Sequence, residues 1–173
     1  MTSYTPVPHS EETVLSYLRA LAQLYEGSGY QTQDWAFSSP YHLVLDQGRR
    51  FTAPLASAEL AVADAAAIEV KECFGNAAWY ADRHPGLLYA EGYALPHHGA
   101  PPVEHGWCVR PDGTVLDPSW TSPVGLAYIG LVFGNPTVWP YNGRGILQDP
   151  DRSFPLLQHG AADGLLLSIG RPL

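Results

Sequence analysis

Apolar residues recur at helical spacing near the start of the chain and in short continuous runs in its second half. The early set consists of Val14, Tyr17, Leu18, Leu21, Leu24 and Tyr25. Their spacing of three or four residues predicts an amphipathic helix. Ser10 is a suitable N-cap for this helix, and Gly27 is a suitable residue just past its end.

The middle of the chain gives weaker signals. Tyr41–Leu45 reads as a short strand, followed by a turn at Gly48-Arg49-Arg50. Ala56–Arg83 favours helix throughout, but 28 residues without a cap is long for one globular helix. Propensity leaves open whether one helix or two occupy this range. His84-Pro85-Gly86 ends whatever helix precedes it.

The second half is rich in strand signals. Four apolar runs are bounded by turn residues, namely Leu87–Leu95, Val103–Arg110, Thr114–Asp117 and Leu126–Phe133. A short helix is predicted near Ser153–Gln158. Helices followed by a run of antiparallel strands predict an α+β fold with N-terminal helices packed on an antiparallel sheet. We find no linker, so residues 1–173 are expected to form one domain.

Composition narrows the range of functions. The 173 residues are 46% hydrophobic and only 15% charged, which excludes disorder as the dominant state. The formal charge of -8 and the lack of a basic stripe argue against nucleic-acid binding. Apolar runs are shorter than the ~20 residues of a membrane span, and Met1–Ser10 lacks a signal-peptide pattern. We therefore expect a cytoplasmic protein that binds no membrane and has no disulfide framework.

The most informative segment is a predicted hairpin around Pro111-Asp112-Gly113. A three-residue loop of this composition pairs Arg110 with Thr114 and places His105 on the same face as Asp117. The carboxylate could then orient the imidazole ring. A two-residue Asp-Gly loop would instead turn His105 to the other face, because a slip of one residue reverses the faces.

The two cysteines have different expected roles. Cys108 lies on the strand face opposite His105, so it reads as a small buried hydrophobe. If a new helix begins near Cys73, the positive helix end would stabilise its thiolate. If the helix instead runs unbroken from Ala56, Cys73 lies in its middle and is a core residue.

The order of the motifs resembles a known family. The chain carries four motifs in order, namely Cys73 opening a helix, Glu91-Gly92-Tyr93-Ala94 on a strand, His105-Gly106-Trp107 and Asp117-Pro118-Ser119-Trp120. Together they resemble the transglutaminase-like core of the papain-like cysteine enzymes. The match runs from about Lys71 to Trp120. The resemblance implies a papain-like core in which Cys73 is the nucleophile, His105 the general base and acid, and Asp117 the group that orients the imidazole.

The remaining candidates concern the oxyanion and other ligands. No Gln or Asn stands a few residues upstream of Cys73 to supply an oxyanion donor. The backbone N–H of Cys73 could supply one donor, and the second is unassigned. Asn76 and Trp107 are candidates for substrate or oxyanion binding, and Asn76 could instead pack against the hairpin. Glu91 is either catalytic or structural. The pair His97-His98 lacks the spacing of a metal-ligand set, so no metal is predicted, and the chemistry needs no organic cofactor.

The leading hypothesis is cysteine-dependent acyl transfer or amide or peptide hydrolysis through a thioester on Cys73. The substrate would be a protein, a peptide or a small amide or acyl compound. The alternative is a non-catalytic binding or structural module that retains a transglutaminase-like fold. The sequence leaves hydrolysis or transfer, the substrate, the role of residues 134–173 and the oligomeric state undecided.

Overall fold

The structure is a computed structural model that describes residues 8–28, 34–53, 68–69, 71–121 and 124–173. These residues form an α+β fold of four α-helices and a curled antiparallel sheet. The helices are α1 (Pro8–Gly27), α2 (Pro40–Gln47), α3 (Cys73–Arg83) and α4 (Pro150–His159). The strands are β1 (Arg49–Phe51), β2 (Leu88–Leu95), β3 (Val103–Val109), β4 (Val115–Leu116), β5 (Ala127–Phe133), β6 (Leu166–Leu167) and β7 (Arg171–Pro172).

The strand order differs from a simple meander. The sheet runs β4-β3-β2-β5-β1-β7, and β6 pairs with the end of β5. The α+β class and the positions of the four expected strands and of α4 are confirmed. The chain after β4 returns across the sheet, however, so that β5 pairs with β2 rather than with β4. The short strands β1, β6 and β7 were not predicted, because two or three residues carry too little alternation to be recognised.

The sheet curls so that the residue after β1 reaches the residue before β4. Thr52, just after β1, forms a bridge with Thr114, just before β4. The Thr52 N–H donates to the Gly113 carbonyl at 3.0 Å, and the Thr52 carbonyl accepts from the Val115 N–H at 2.9 Å. The sheet is therefore a half-barrel with an inner side and an outer side.

The two sides of the sheet carry separate cores. The inner side holds Phe51, Ala53, Ala90, Ala94, Trp107, Val109, Val115, Tyr128 and Val132. Trp107 lies in its centre, edge-on to the rings of Phe51 and Tyr128 with centroids 5.5 and 5.2 Å away. A side chain at Gly130 would come within 2.8 Å of the Trp107 ring, so the indole fits there because this position is glycine.

The outer side is covered by the helices. Residues of α1, α2, α3 and α4 form one cluster with the alternate residues of β2, β3 and β5, including Tyr89, Tyr93 and Cys108. Helix α3 approaches β3 most closely at Gly106, where an added Cβ would lie 2.9 Å from the Phe74 Cα. The glycine therefore lets the first turn of α3 rest directly on the strand.

Three local predictions near the N-terminus are wrong. Helix α1 begins at Pro8, so Ser10 lies inside the first turn and is not the N-cap. The segment expected as a strand at Tyr41–Leu45 is helix α2, because Ser39 caps it by accepting the His42 N–H at 3.1 Å and Pro40 occupies its first turn. Arg49 and Arg50 belong to strand β1 rather than to a turn.

The structure decides between the alternatives at Cys73. Helix α3 begins at Cys73 and ends at Arg83, before the His84-Pro85-Gly86 stop that the sequence predicts. Most of the earlier part of the Ala56–Arg83 range lies outside the described residues. No helix among the described residues is long and apolar enough to span a bilayer.

The contact at Gly106 gives a testable prediction. In Gly106→Ala the new methyl group would also lie 3.3 Å from the Cys73 carbonyl oxygen, so α3 has to move away from β3. We expect a loss of about 1–3 kcal/mol in the free energy of unfolding, measured by urea denaturation. Gly27→Ala is the matched control because its Cβ meets nothing within 4 Å. Equal stability of the two variants would contradict the close contact.

Candidate active site

The hairpin between β3 and β4 has the three-residue loop and the register that the sequence predicts. Val109 pairs with Val115, and the Arg110 N–H donates to the Thr114 carbonyl at 2.9 Å. Gly113 has a φ of 84°, the left-handed conformation that the third loop position requires. His105 and Asp117 consequently lie on the inner side of the sheet as diagonal neighbours.

The His105 ring and the Asp117 carboxylate are in direct contact. His105 Nε2 lies 2.8 Å from Asp117 Oδ2, and both side chains are almost completely buried. Oδ1 of the same carboxylate accepts the backbone N–H groups of Ser119 at 2.9 Å and Trp120 at 3.0 Å. Oδ2 also accepts the Tyr128 hydroxyl at 2.8 Å. Four donors therefore hold the carboxylate in one orientation.

Aromatic rings fix the plane of the imidazole. The indole of Trp120 stacks on the His105 ring with centroids 3.7 Å apart and planes 12° apart. Tyr128, which donates to Asp117, in turn accepts the Gly125 N–H at 3.0 Å, so its hydroxyl is fully engaged. Sequence reasoning did not identify Tyr128, because its role depends on the register of β5 against β2.

Cys73 completes a set of three side chains. It is the first residue of α3, is partly exposed, and interacts with His105 in a way that favours the protonated ring. Because Asp117 uses Nε2 of the ring, Nδ1 is the nitrogen that remains for the thiol. Lys71, two residues before Cys73, has a φ of 68°, a conformation that non-glycine residues rarely adopt.

Helix α3 and His105 meet at the edge of the sheet. Pairing between β3 and β4 ends at Cys108 and Leu116, so β4 does not cover the His105 end of β3. The helix packs on the outer side, but its first residue lies at this open edge and reaches the inner-side histidine. An α-helix leaves its first backbone N–H groups without intrahelical partners, so the start of α3 presents N–H donors beside Cys73.

The environment of His105 favours the imidazolium. Burial acts against the charged ring, but the charge and hydrogen bond of Asp117, together with Cys73, outweigh it and raise the pKa of His105 to about 9. A protonated ring beside a sulfur is the arrangement that stabilises a thiolate.

Cys108 lies in a contrasting environment, as the sequence predicts. It is completely buried on the outer side, where its thiol donates to the Ala77 carbonyl at 3.2 Å. Burial raises the pKa of this thiol well above its usual value. Cys108 is therefore a core residue with no access to solvent.

Asn76 and Trp107, the candidates for substrate or oxyanion binding, are both buried within the protein. Asn76 Nδ2 donates to the Glu69 carbonyl at 2.7 Å and to Ser119 Oγ at 3.1 Å, and its oxygen accepts the Glu69 N–H at 3.0 Å. Both amide hydrogens are thus used within the protein, and the residue ties the 117–120 segment to α3. Trp107 is fully buried inside the half-barrel, where its indole N–H has no hydrogen-bond partner among the described residues.

Glu91 has a structural role that the sequence left open. Its carboxylate is buried beneath the first turn of α3 and accepts the backbone N–H groups of Ile146 at 2.7 Å and Leu147 at 2.6 Å. The Tyr89 hydroxyl donates to it at 2.5 Å. Burial raises the pKa of Glu91 to about 7, against the opposing effect of these three donors. The residue anchors the segment after Pro140 to the sheet.

A cleft of about 340 Å³ lies along the exposed face of α3. Glu72 and Asn76, on either side of Cys73 in the helix, contribute to one wall. The opposite wall is the segment from Tyr141 to Gly143, which Glu91 helps to hold. Within the described residues, no group of three or more His, Cys, Asp or Glu side chains is arranged to hold a metal ion.

Comparison with protein-family models finds no match, and comparisons with curated proteins and with solved structures find no match either.

The raised pKa of His105 predicts a pH dependence of stability. The unfolded ring has a pKa of about 6.5, so the stabilisation is complete below that pH and is lost as the pH rises through the higher folded value. In Cys73→Ala the contribution of Cys73 is lost, but the charge and hydrogen bond of Asp117, the larger of the causes that raise the pKa, still favour the imidazolium. The free energy of unfolding of this variant should therefore fall above pH 6.5 by up to about 1.4 kcal/mol per pH unit. Urea denaturation between pH 6 and 9 measures this decline.

The matched control for this experiment is the double variant Cys73→Ala/His105→Asn. It removes the titrating ring and keeps a side chain that can donate to Asp117. Its stability should not decline over the same pH range beyond the change that the rest of the protein contributes. The same decline in both variants would show that His105 does not hold its proton above pH 6.5.

Proposed function

We propose that this protein is a cysteine-dependent enzyme of transglutaminase-like type, which transfers acyl groups or hydrolyses amides through a thioester on Cys73. The observation that supports the proposal best is the contact of Cys73 with a histidine that Asp117 orients. The position of the cysteine at the first residue of a helix, and the half-barrel that carries the other two residues, are those expected of a papain-like core.

The reaction would begin with the Cys73 thiolate, whose proton resides on His105. Sulfur attacks the carbonyl carbon of the substrate, and the carbonyl oxygen becomes an oxyanion. The backbone N–H of Cys73, at the start of α3, supplies one donor to that oxygen. His105 then gives its proton to the leaving amine, and the bond from carbon to nitrogen breaks to leave a thioester.

The second half of the reaction releases the acyl group. Water or an amine attacks the thioester carbon while His105 takes its proton, and the thiolate leaves. Asp117 keeps the ring in one orientation throughout, because its carboxylate is held by Ser119, Trp120 and Tyr128 as well. Water gives hydrolysis and an amine gives transfer.

Selective alkylation of Cys73 tests the proposed nucleophile. Iodoacetamide at pH 6 should modify Cys73 and leave Cys108 unmodified, because only Cys73 is partly exposed and contacts an imidazolium. His105→Ala should slow the reaction about tenfold or more at this pH. Peptide mapping by mass spectrometry measures both rates.

The control for alkylation is Cys108→Ala, which leaves Cys73 as the single cysteine and should keep the wild-type rate. Slow and equal reaction of both thiols in the wild-type protein, with an onset near pH 8.5, would contradict the proposed enzyme. That outcome would favour the alternative of a binding or structural module without catalytic activity.

Formation of a thioester is the direct test of chemistry. Incubation with a panel of activated peptidyl esters and thioesters should add one acyl mass to Cys73, and Cys73→Ala should gain none. Adding hydroxylamine or an alkylamine to the isolated acyl-protein then compares transfer with hydrolysis. A panel that acylates wild type and Cys73→Ala equally would show that the cysteine is not the acceptor.

A further inference from the structure

The cleft along α3 has a chemical asymmetry along its length. Cys73 does not line it, but Glu72 and Gly75, close to Cys73 along the chain, do. Its helical wall is a single stripe of α3, because Glu72, Asn76, Trp79 and Arg83 recur at intervals of three and four residues. Glu69 and Glu72 are exposed at the end nearest the cysteine, and Arg83 is exposed at the far end. One end of the cleft is therefore acidic and the other is basic.

The basic end is built around an ordered aromatic pair. The Trp79 indole N–H donates to the Tyr141 carbonyl at 3.0 Å, and the two rings meet edge to face with centroids 5.0 Å apart. The Arg83 guanidinium lies over the Trp79 ring, 5.6 Å from its centroid. Contact with the indole restricts the guanidinium, and Arg83 is one of the residues that line the cleft.

Arg83 has no acidic partner in the described part of the chain. The neighbouring carboxylate, Asp82, accepts the Tyr141 hydroxyl at 3.3 Å. Some arginines of the protein are paired, such as Arg19 with Glu12 and Arg152 with Asp149. In a protein of formal charge -8, an unpaired guanidinium at one end of a cleft is a site for an anionic group.

The spacing along the helix fixes the length of the ligand. Ten residues separate Cys73 from Arg83, which at 1.5 Å per residue is about 15 Å. An extended peptide covers about 3.3 Å per residue, so a carboxylate-bearing side chain three or four residues from the reacting carbonyl would reach the guanidinium. The volume of about 340 Å³ suits a segment of a few residues.

We propose that this cleft binds the peptide segment of the acyl donor, a proposal that rests on the function proposed above. Arg83, supported by Trp79, selects an acidic side chain three or four residues from the reacting carbonyl. The apolar part of the segment packs on Trp79 and Tyr141. Glu69 and Glu72 repel a carboxylate close to Cys73, so the acidic residue is accepted at the far end of the cleft only.

The test uses peptidyl acyloxymethyl ketones, which trap a reactive cysteine by forming a carbon–sulfur bond as the carboxylate leaves. One series carries Glu at the first, second, third or fourth residue from the reactive carbon, and a matched series carries Gln. For each position the ratio of the Glu rate to the Gln rate is measured on Cys73 in the full-length protein. Iodoacetamide, which is too small to need the cleft, reports the reactivity of the thiol itself.

We expect a Glu/Gln ratio of about ten or more at the third or fourth position and a ratio below one at the first position. Arg83→Gln should reduce the distal ratio to about one, and Arg83→Glu should reverse the preference toward a Lys-bearing probe. Arg144→Gln is the control, since Arg144 is also exposed and lies on the neighbouring segment but does not line the cleft. This control should keep the wild-type ratio.

The outcomes separate the two proposals. One outcome is that iodoacetamide alkylates Cys73 selectively while the Glu/Gln rate ratio is near one at every probe position. That result overturns the selection by Arg83 and leaves the proposed enzyme standing. A ratio that falls equally in Arg83→Gln and Arg144→Gln also overturns it, because general charge would then explain the preference. Failure of iodoacetamide to distinguish Cys73 from Cys108 contradicts the proposed function itself.

Discussion

The buried carboxylate of Asp117 is the interaction on which the site depends. It joins the hairpin strand that carries His105 to the Tyr128 hydroxyl of β5, and its other oxygen closes the turn at Ser119 and Trp120. A carboxylate with no solvent exposure is tolerated only when its oxygens are fully bonded. Here the four donors meet that requirement, and the same four bonds define where the imidazole must lie.

The division of the sheet into two sides explains how one site can join two cores. His105, Trp107 and Tyr128 belong to the inner core of the half-barrel, whereas the body of α3 packs on the outer core. The two meet only where β4 is too short to cover β3 and where Gly106 lets α3 approach. Cys73 contacts the ring because it is the first residue of the helix and not a residue of its middle.

Supporting residues around the site connect these layers. Asn76 links α3 to Ser119 and so holds the turn that follows Asp117, while Glu91 fixes the far wall of the cleft through two backbone N–H groups. Both side chains are engaged in hydrogen bonds within the protein. In the proposed function the chemistry is carried by Cys73, His105 and Asp117, and the surrounding polar residues set their positions.

Much of this arrangement was readable from local sequence. The loop Pro111-Asp112-Gly113 determines its own geometry, since glycine at the third position allows the positive φ, and the register of the hairpin follows from the loop length. The faces of His105, Cys108 and Asp117 follow from that register. The class of fold and the four longer strands are likewise properties of local patterns.

Other features depended on contacts between distant segments. The role of Glu91 and the bridge between Thr52 and Thr114 require partners more than thirty residues away. The strand order and the role of Tyr128 require a register that no local turn specifies. The start of α3 is a further case, because propensity was uniform across the range. The sequence by itself determined which residues share a strand face, because alternation and loop length act over a few residues. Only the tertiary structure decided which segments meet, because that choice depends on how both cores are filled at once.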